Sequence, residues 1–245
     1  MPWAKAFTKI APYYDRLMYQ VDYGAWCNYV TELFAQARRP VQDVLDLACG
    51  TGNLTQELLA RGYSVIGLDA SAEMLEIAKE KLPGTEFFQG DFISWGLDRD
   101  FDAITCVFDS LNNILVDEEM VVAFRKASDH LRPGGIFVFD LNTVYGLKHY
   151  WNDNIKVHEG DGFLSVWRTR FIKPDISELR ISLFAEEEGS WKRFDELHLE
   201  RGYSASMVLK FLRKSSGFRQ ARAFHHMTLL PPGRKTGRIT CIAIK

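Results

Sequence analysis

Between residues 41 and 142, short runs of Val, Ile, Leu and Phe alternate with segments whose apolar positions recur at helical spacing. Continuous apolar runs read as strands buried on both faces, and the helical spacing reads as amphipathic helix, so the pattern is that of βαβ units around a parallel sheet. It predicts strands at 44–47, 64–68, 85–89, 101–107 and 136–141, and helices at 53–60, 71–81 and 117–130. Ser71 stands where an N-cap is wanted, and Glu73 and Glu76 follow near the positive end of that helix's dipole. Arg132-Pro133-Gly134-Gly135 stops the third helix and opens the next strand.

After residue 142 the pattern changes. Strands are predicted at 163–171, 176–185 and 191–199, divided by Lys173-Pro174-Asp175 and Glu187-Glu188-Gly189. Short strands joined by tight turns make an antiparallel meander, since parallel neighbours need a long crossover. A helix at 204–215 and strands at 218–227 and 238–244, separated by Pro231-Pro232-Gly233, follow. The fold class is therefore α/β: a parallel sheet from 41–142 and 202–245, interrupted by an antiparallel insert over 143–201. Residues 1–40 form an N-terminal helical cap, with a helix at 23–38 and an aromatic-rich helix or ordered arm at 3–19. His225 and His226 are neighbours on a predicted strand, so they should point to opposite faces and one at most should reach a site.

Composition narrows the function classes. Thirty Lys and Arg against 32 Asp and Glu leave a formal charge of −2 over 245 residues, which disfavours a broad nucleic-acid or anionic-lipid footprint. Cys27, Cys49, Cys106 and Cys241 are far apart, without metal-ligand spacing, and read as reduced, small apolar residues. No metal is expected. Residues 1–20 mix charges with aromatics, and no apolar run approaches the ~20 residues of a membrane span, so the expectation is a soluble, cytoplasmic protein.

Val44-Leu45-Asp46-Leu47-Ala48-Cys49-Gly50-Thr51-Gly52-Asn53 runs an apolar strand into a small-residue turn that opens a helix. Gly50 and Gly52 can take positive φ and let a ligand approach the main chain, where the helix also presents free N–H groups. Val65-Ile66-Gly67-Leu68-Asp69 ends the second strand in an acid, the position that accepts from ribose hydroxyls in nucleotide-binding α/β folds. Phe88-Gln89-Gly90-Asp91-Phe92 ends the third strand in another acid. The third glycine of a dinucleotide fingerprint would fall on Thr55, and no lysine follows the turn as in a P-loop, so a nucleoside without phosphate fits better.

Together, Asp46 to Gly52, Gly67-Leu68-Asp69-Ala70-Ser71 with Met74, Gly90-Asp91-Phe92, and Leu131-Arg132-Pro133-Gly134-Gly135 resemble the class I S-adenosylmethionine-dependent methyltransferases. The opening Ile10-Ala11-Pro12-Tyr13-Tyr14-Asp15-Arg16-Leu17-Met18, with Trp26, is similar to the N-terminal cap of small bacterial members. The resemblance implies a Rossmann-like, mostly parallel seven-stranded sheet with helices on both faces and an antiparallel β insert after the fifth strand. It also implies S-adenosylmethionine as cofactor. Backbone at Ala48, Gly50 and Gly52 would pass beneath its methionine part, and Asp46 would hold the turn or meet the ammonium through water. Asp69 would hold the ribose, with Ala70, Met74, Asp91 and Phe92 around the adenine. Phe108, Asp109 and Ser110 would face the methyl group, and Tyr14 and Trp26 would close the pocket. Asp109 is the candidate catalytic residue, with helix capping as its alternative role.

Methyl transfer to O or N of a small molecule is the leading expectation. RNA or protein methylation, for which Arg168, Arg170 and Arg180 would supply the charge, and a catalytically silent cofactor-binding module are the alternatives. The insert aromatics Tyr145, Tyr150, Trp151, Trp167 and Trp191 suit an acceptor pocket, a lid or a homodimer face.

Overall fold

The computed structural model describes residues 6–172, 174–215 and 217–245; residues 3–5 of the expected arm and Lys173, used above, lie outside them. A 3₁₀ turn at Ala11–Tyr13 leads into α1 (Tyr14–Leu17), α2 (Tyr23–Phe34), β1 (Asp43–Leu47), α3 (Asn53–Ala60) and β2 (Ser64–Asp69). Then come α4 (Ala72–Lys81), β3 (Phe87–Gln89), β4 (Phe101–Cys106), a second 3₁₀ turn at Ser110–Asn113, α5 (Asp117–Asp129) and β5 (Leu131–Asn142). The chain continues through α6 (Val144–Tyr150), β6 (Asn154–Gly160), β7 (Phe163–Ile172), β8 (Ile176–Glu187) and β9 (Ser190–Arg201). It closes with α7 (Ala205–Lys214), β10 (Gln220–His225) and β11 (Arg238–Ile244).

Seven strands form one sheet in the order β10-β11-β5-β4-β1-β2-β3, parallel except where β11 pairs with β10 and β5. Alternate residues of each central strand serve opposite faces. Leu45, Leu47, Ile66, Leu68, Ile104, Phe137 and Phe139 join α5 and α7, through Met120, Phe124 and Phe211, in one core. Val44, Val65, Ala103, Ile136 and Val138 join α2 and α3, through Cys27, Leu33, Leu54 and Leu58, in the other. Removing the fully buried Phe124 ring would cost roughly 3–5 kcal/mol. Because β1, β2, β3 and β4 are parallel, their carboxyl ends share one edge.

Four strands, β6-β7-β8-β9, form the separate antiparallel sheet. Phe163, Leu179, Ile181, Leu183 and Ala185 on its inner face pack against Ile10, Tyr13 and Leu17 of the N-terminal arm. The arm is also held by hydrogen bonds. Glu196 of β9 accepts from the backbone N–H of Phe7, Thr8, Lys9 and Ile10 at 2.6–3.0 Å, and His198 lies 2.9 Å from the same carboxylate.

The structure differs from the expected elements at a few ends. α2 stops at Phe34, where the amides of Ala35, Gln36 and Ala37 tighten to carbonyls three residues back. β5 starts at Leu131, which pairs with Phe101; the register then shifts, so Arg132 to Gly135 forms an irregularity inside the strand. Neither α6 nor β6 is predicted. α6 has only seven residues, and β6 is a largely exposed edge strand whose two alternating apolar residues, Ile155 and Val157, face solvent. None of the described helices is long and apolar enough to cross a membrane.

Candidate active site

β1 delivers Asp46, 1% exposed, beneath the turn that follows it. Its carboxylate accepts from the hydroxyls of Thr55 at 2.7 Å and Thr105 at 3.0 Å, and burial lifts its pKa to about 6 despite these donors. Thr55, read from sequence only as a missing glycine, thus fastens α3 to the floor of the turn. Gly50 and Gly52 have φ of 55° and 80°. Ala48 takes φ 60°, a left-handed conformation that costs a residue with a Cβ about 1–2 kcal/mol. α3 begins directly after Gly52, with no side chain capping its first turn.

Asp69, at the end of β2, accepts from the N–H groups of Gly50 and Ser71, both at 2.8 Å. Burial raises its pKa against these donors. A carboxylate has about four acceptor positions, so after these backbone donors it keeps capacity for a hydroxyl. Ser71 caps α4 through the N–H of Met74 and donates to the carbonyl of Phe7 at 2.7 Å. Met74 is buried, Ala70 is exposed, and Phe92 packs half-buried against the core. Asp91 is exposed and accepts from Ile93 and Ser94, the local turn-capping role.

The N-terminal arm lies over this edge. Asp15 accepts from Thr51 at 2.6 Å and Asn53 at 2.9 Å, and pairs with Lys81 at 2.5 Å. Burial, then the charges of Tyr23, Asp109 and Asp69, push the Tyr14 phenol upward. Asp15, Thr51, Tyr23 and Lys81 were not singled out in the sequence. A helix places Tyr23 and Trp26 one turn apart, and this was the available signal for Tyr23.

At the end of β4, Phe108 and Asp109 both adopt left-handed φ, at 59° and 52°. Consecutive non-glycine residues of this kind store strain and cluster at functional sites. Phe108 stacks against Trp26 at 4.1 Å and Tyr23 at 5.1 Å. Asp109 occupies the cap position of the following 3₁₀ turn but makes no side-chain cap bond. Its carboxylate instead accepts from Asn142 at 2.6 Å and pairs with Arg238 at 3.1 Å. Burial raises its pKa, opposed by Arg238.

Beside this cluster opens a cleft of about 300 Å³, lined by Asn142, Tyr150, Trp151, His225, His226 and Arg238, among others. Both histidines border it, contrary to the opposite-face expectation. β10 ends at His225, so His226 already lies in the turn and strand alternation no longer applies. His226 packs on Trp26 at 4.6 Å, lies 2.9 Å from Thr240, and is held neutral by burial and Arg238, with its pKa near 3.

The structure therefore gathers Tyr14, Trp26, Asp46, Ala48, Gly50, Gly52, Asp69, Phe108 and Asp109 at one sheet edge, with Ala70, Met74, Asp91 and Phe92 on its β2–β3 side. Left-handed glycines, an uncapped helix start and a carboxylate with acceptor capacity left fit a ribose-bearing cofactor.

A methyltransferase domain model matches residues 44–135. The chain is 28% identical to a putative methyltransferase of Geobacillus sp. (strain WCH70), over 98% of this chain and 99% of that protein. It is similar to the crystal structure of an S-adenosylmethionine-dependent methyltransferase from Clostridium acetobutylicum ATCC 824, with a TM-score of 0.83, 32% identity, and coverage of 96% of this chain and 97% of that one. A dTDP-3-amino-3,4,6-trideoxy-α-D-glucopyranose N,N-dimethyltransferase of Streptomyces venezuelae is 31% identical over 49% of this chain and 50% of its own length.

Proposed function

Because the chain belongs to the class I S-adenosylmethionine-dependent methyltransferases, we propose that it methylates an oxygen or nitrogen of a small-molecule acceptor held between the carboxyl edge of the main sheet and the antiparallel sheet. The observation that carries the placement is the Asp69 carboxylate, tied to the Gly50 amide at 2.8 Å across the turn between β1 and α3. Asp69 would hold the ribose, Gly50 and Gly52 would pass beneath the methionine portion, and Met74, Ala70, Asp91 and Phe92 would surround the adenine. S-adenosylmethionine, when bound, supplies a methyl group already activated by the sulfonium charge.

What remains for the protein is alignment of the nucleophile and exclusion of water. The arm, pinned at Asp15 on one side and Glu196 on the other, serves as the cover; residues 1–40 are its cap and 143–201 the acceptor-binding unit. The amino-sugar relative supports a small-molecule acceptor. Calorimetric titration with S-adenosylhomocysteine, with NADH as comparison ligand, tests the placement. Micromolar binding of the first alone is the expected result, and binding of NADH instead would overturn it.

A further inference from the structure

Three carboxylates converge on one guanidinium behind the cleft. Arg238 pairs with Asp140 at 2.6 Å and with Asp109 at 3.1 Å, and Glu200 of β9 joins them through Asn142. The Asn142 side-chain amide donates to Asp109 at 2.6 Å and to Glu200 at 3.0 Å, so one amide yokes a carboxylate of the main sheet to one of the antiparallel sheet. Asn142 is itself fixed, because Asn112 bonds both its backbone N–H and its carbonyl. If all three acids were ionised, Arg238 would balance one charge and two would stay buried uncompensated, which proteins avoid by protonation or by taking up a cation.

Two further features mark a missing partner. Ser177 lies directly opposite Glu200 in the β8–β9 pairing, so both side chains stand on the same face about 5 Å apart. Its hydroxyl is buried, with the residue 1% exposed, and has no partner among the described residues. One oxygen of Asp140 is likewise buried and unpartnered. Asn142 and Arg238, which bind the carboxylates, both line the cleft, while Asp109 at 18% and Glu200 at 8% keep some exposure. Among the described residues no group of three His, Cys, Asp or Glu is spaced to hold a metal ion. A hydrogen-bonding cation suits the geometry better.

We infer that the acceptor is an amine, bound as its ammonium by Asp109, Glu200 and the Ser177 hydroxyl, with the carboxylate pair taking its proton before methylation. This rests on the small-molecule reading above and narrows it to nitrogen. The ammonium passes one proton to a carboxylate and becomes a neutral amine. Its freed lone pair forms the N–C bond as the methyl group's bond to sulfur breaks with the electron pair going to sulfur. The product nitrogen is again positive, and the carboxylic acid returns its proton to water. Burial, then the mutual repulsion of Asp109 and Glu200, raises the proton affinity of Glu200, opposed by Asn142 and Arg238, which makes it a stronger base than a solvated carboxylate.

The test is ¹³C NMR of the side-chain carboxyls in the full chain saturated with S-adenosylhomocysteine, using methylammonium as probe and methanol and sodium as controls. Methylammonium should shift the Glu200 resonance, identified by its loss in Glu200→Gln, and that of Asp109, in a saturable way that neither control reproduces. Glu200→Gln and Asp109→Asn should each weaken methylammonium binding about tenfold or more, with S-adenosylhomocysteine affinity retained as proof of fold. No response at either carboxyl, or the same response to methanol or sodium, would overturn the inference. If S-adenosylhomocysteine fails to bind, the cofactor placement falls, and the carboxyl response to methylammonium still decides this proposal.

Discussion

Thr55 donates its hydroxyl to Asp46 at 2.7 Å in a space closed to solvent, joining the helix after the glycine-rich turn to the strand before it. Asp46 keeps a pKa of about 6 against an ordinary 3.8, so the folded state holds its proton more tightly than the unfolded chain. Below about pH 4 it is neutral in both states and has no effect; as pH rises to about 6 its ionisation destabilises the fold by about 3 kcal/mol, and the penalty persists above. Asp46→Asn should therefore gain stability relative to wild type between about pH 4 and pH 7. Calorimetric Tm values across that range provide the check, and a constant difference would count against it.

Asp69 holds Gly50 and Ser71 and has acceptor capacity left. Asp69→Ala should lower S-adenosylhomocysteine affinity about tenfold or more, as expected for loss of charge-assisted hydrogen bonds, while circular dichroism stays native. Unchanged affinity would remove Asp69 from the cofactor site.

Four successive amides of the arm converge on Glu196. Burial would raise its pKa, but His198 and the Ile10 amide outweigh burial and hold it low. A depressed carboxylate contributes stability above its unfolded value of 4.5 and loses it as pH falls through the folded one. Glu196→Gln should expose amides 7–10 to faster hydrogen exchange, at a cost of roughly 1–3 kcal/mol, and should remove the acid sensitivity of their protection. Equal protection in both proteins would show that apolar packing alone secures the arm.

His226 should remain neutral from about pH 5 to pH 8, because its pKa lies near 3 while the unfolded imidazole titrates near 6.5. The sign is opposite to that of Asp46: above about 6.5 the ring is neutral in both states and has no effect, and as pH falls toward 3 the fold loses stability because the unfolded chain takes up the proton. A proton NMR titration of the ring should be flat in that window, and an inflection near 6.5 would mean that Trp26 and Arg238 do not enclose it.

The main sheet was legible because its central strands bury both faces and so appear as unbroken apolar runs, as in 44–47 and 101–107. β6 was not, since its alternation rests on only two apolar residues, Ile155 and Val157, both exposed on an edge strand among Lys156, His158 and Glu159. The glycine-rich turn and Asp69 lie close together in sequence, and their chemistry could be read locally. Asp109, Asn142 and Glu200 meet only because two sheets meet, with the partners 33 and 58 positions apart. One local signal was available: Glu196, His198 and Glu200 recur at every second position of β9, placing polar groups along a single buried face.

The tie between the arm and Glu196 has a consequence for synthesis. Ile10 and its acceptor are 186 positions apart. At bacterial or eukaryotic elongation rates, the ribosome takes roughly ten to forty seconds to span them. For most of that interval, until β7 and β8 have been made, Ile10, Tyr13 and Leu17 lack the strands that will cover them. The main sheet's first five strands, complete by residue 142, can assemble meanwhile, but the Glu196 tie closes only after β9 has emerged. A nascent chain of this protein therefore presents a short greasy segment to chaperones and proteases until its synthesis is nearly finished.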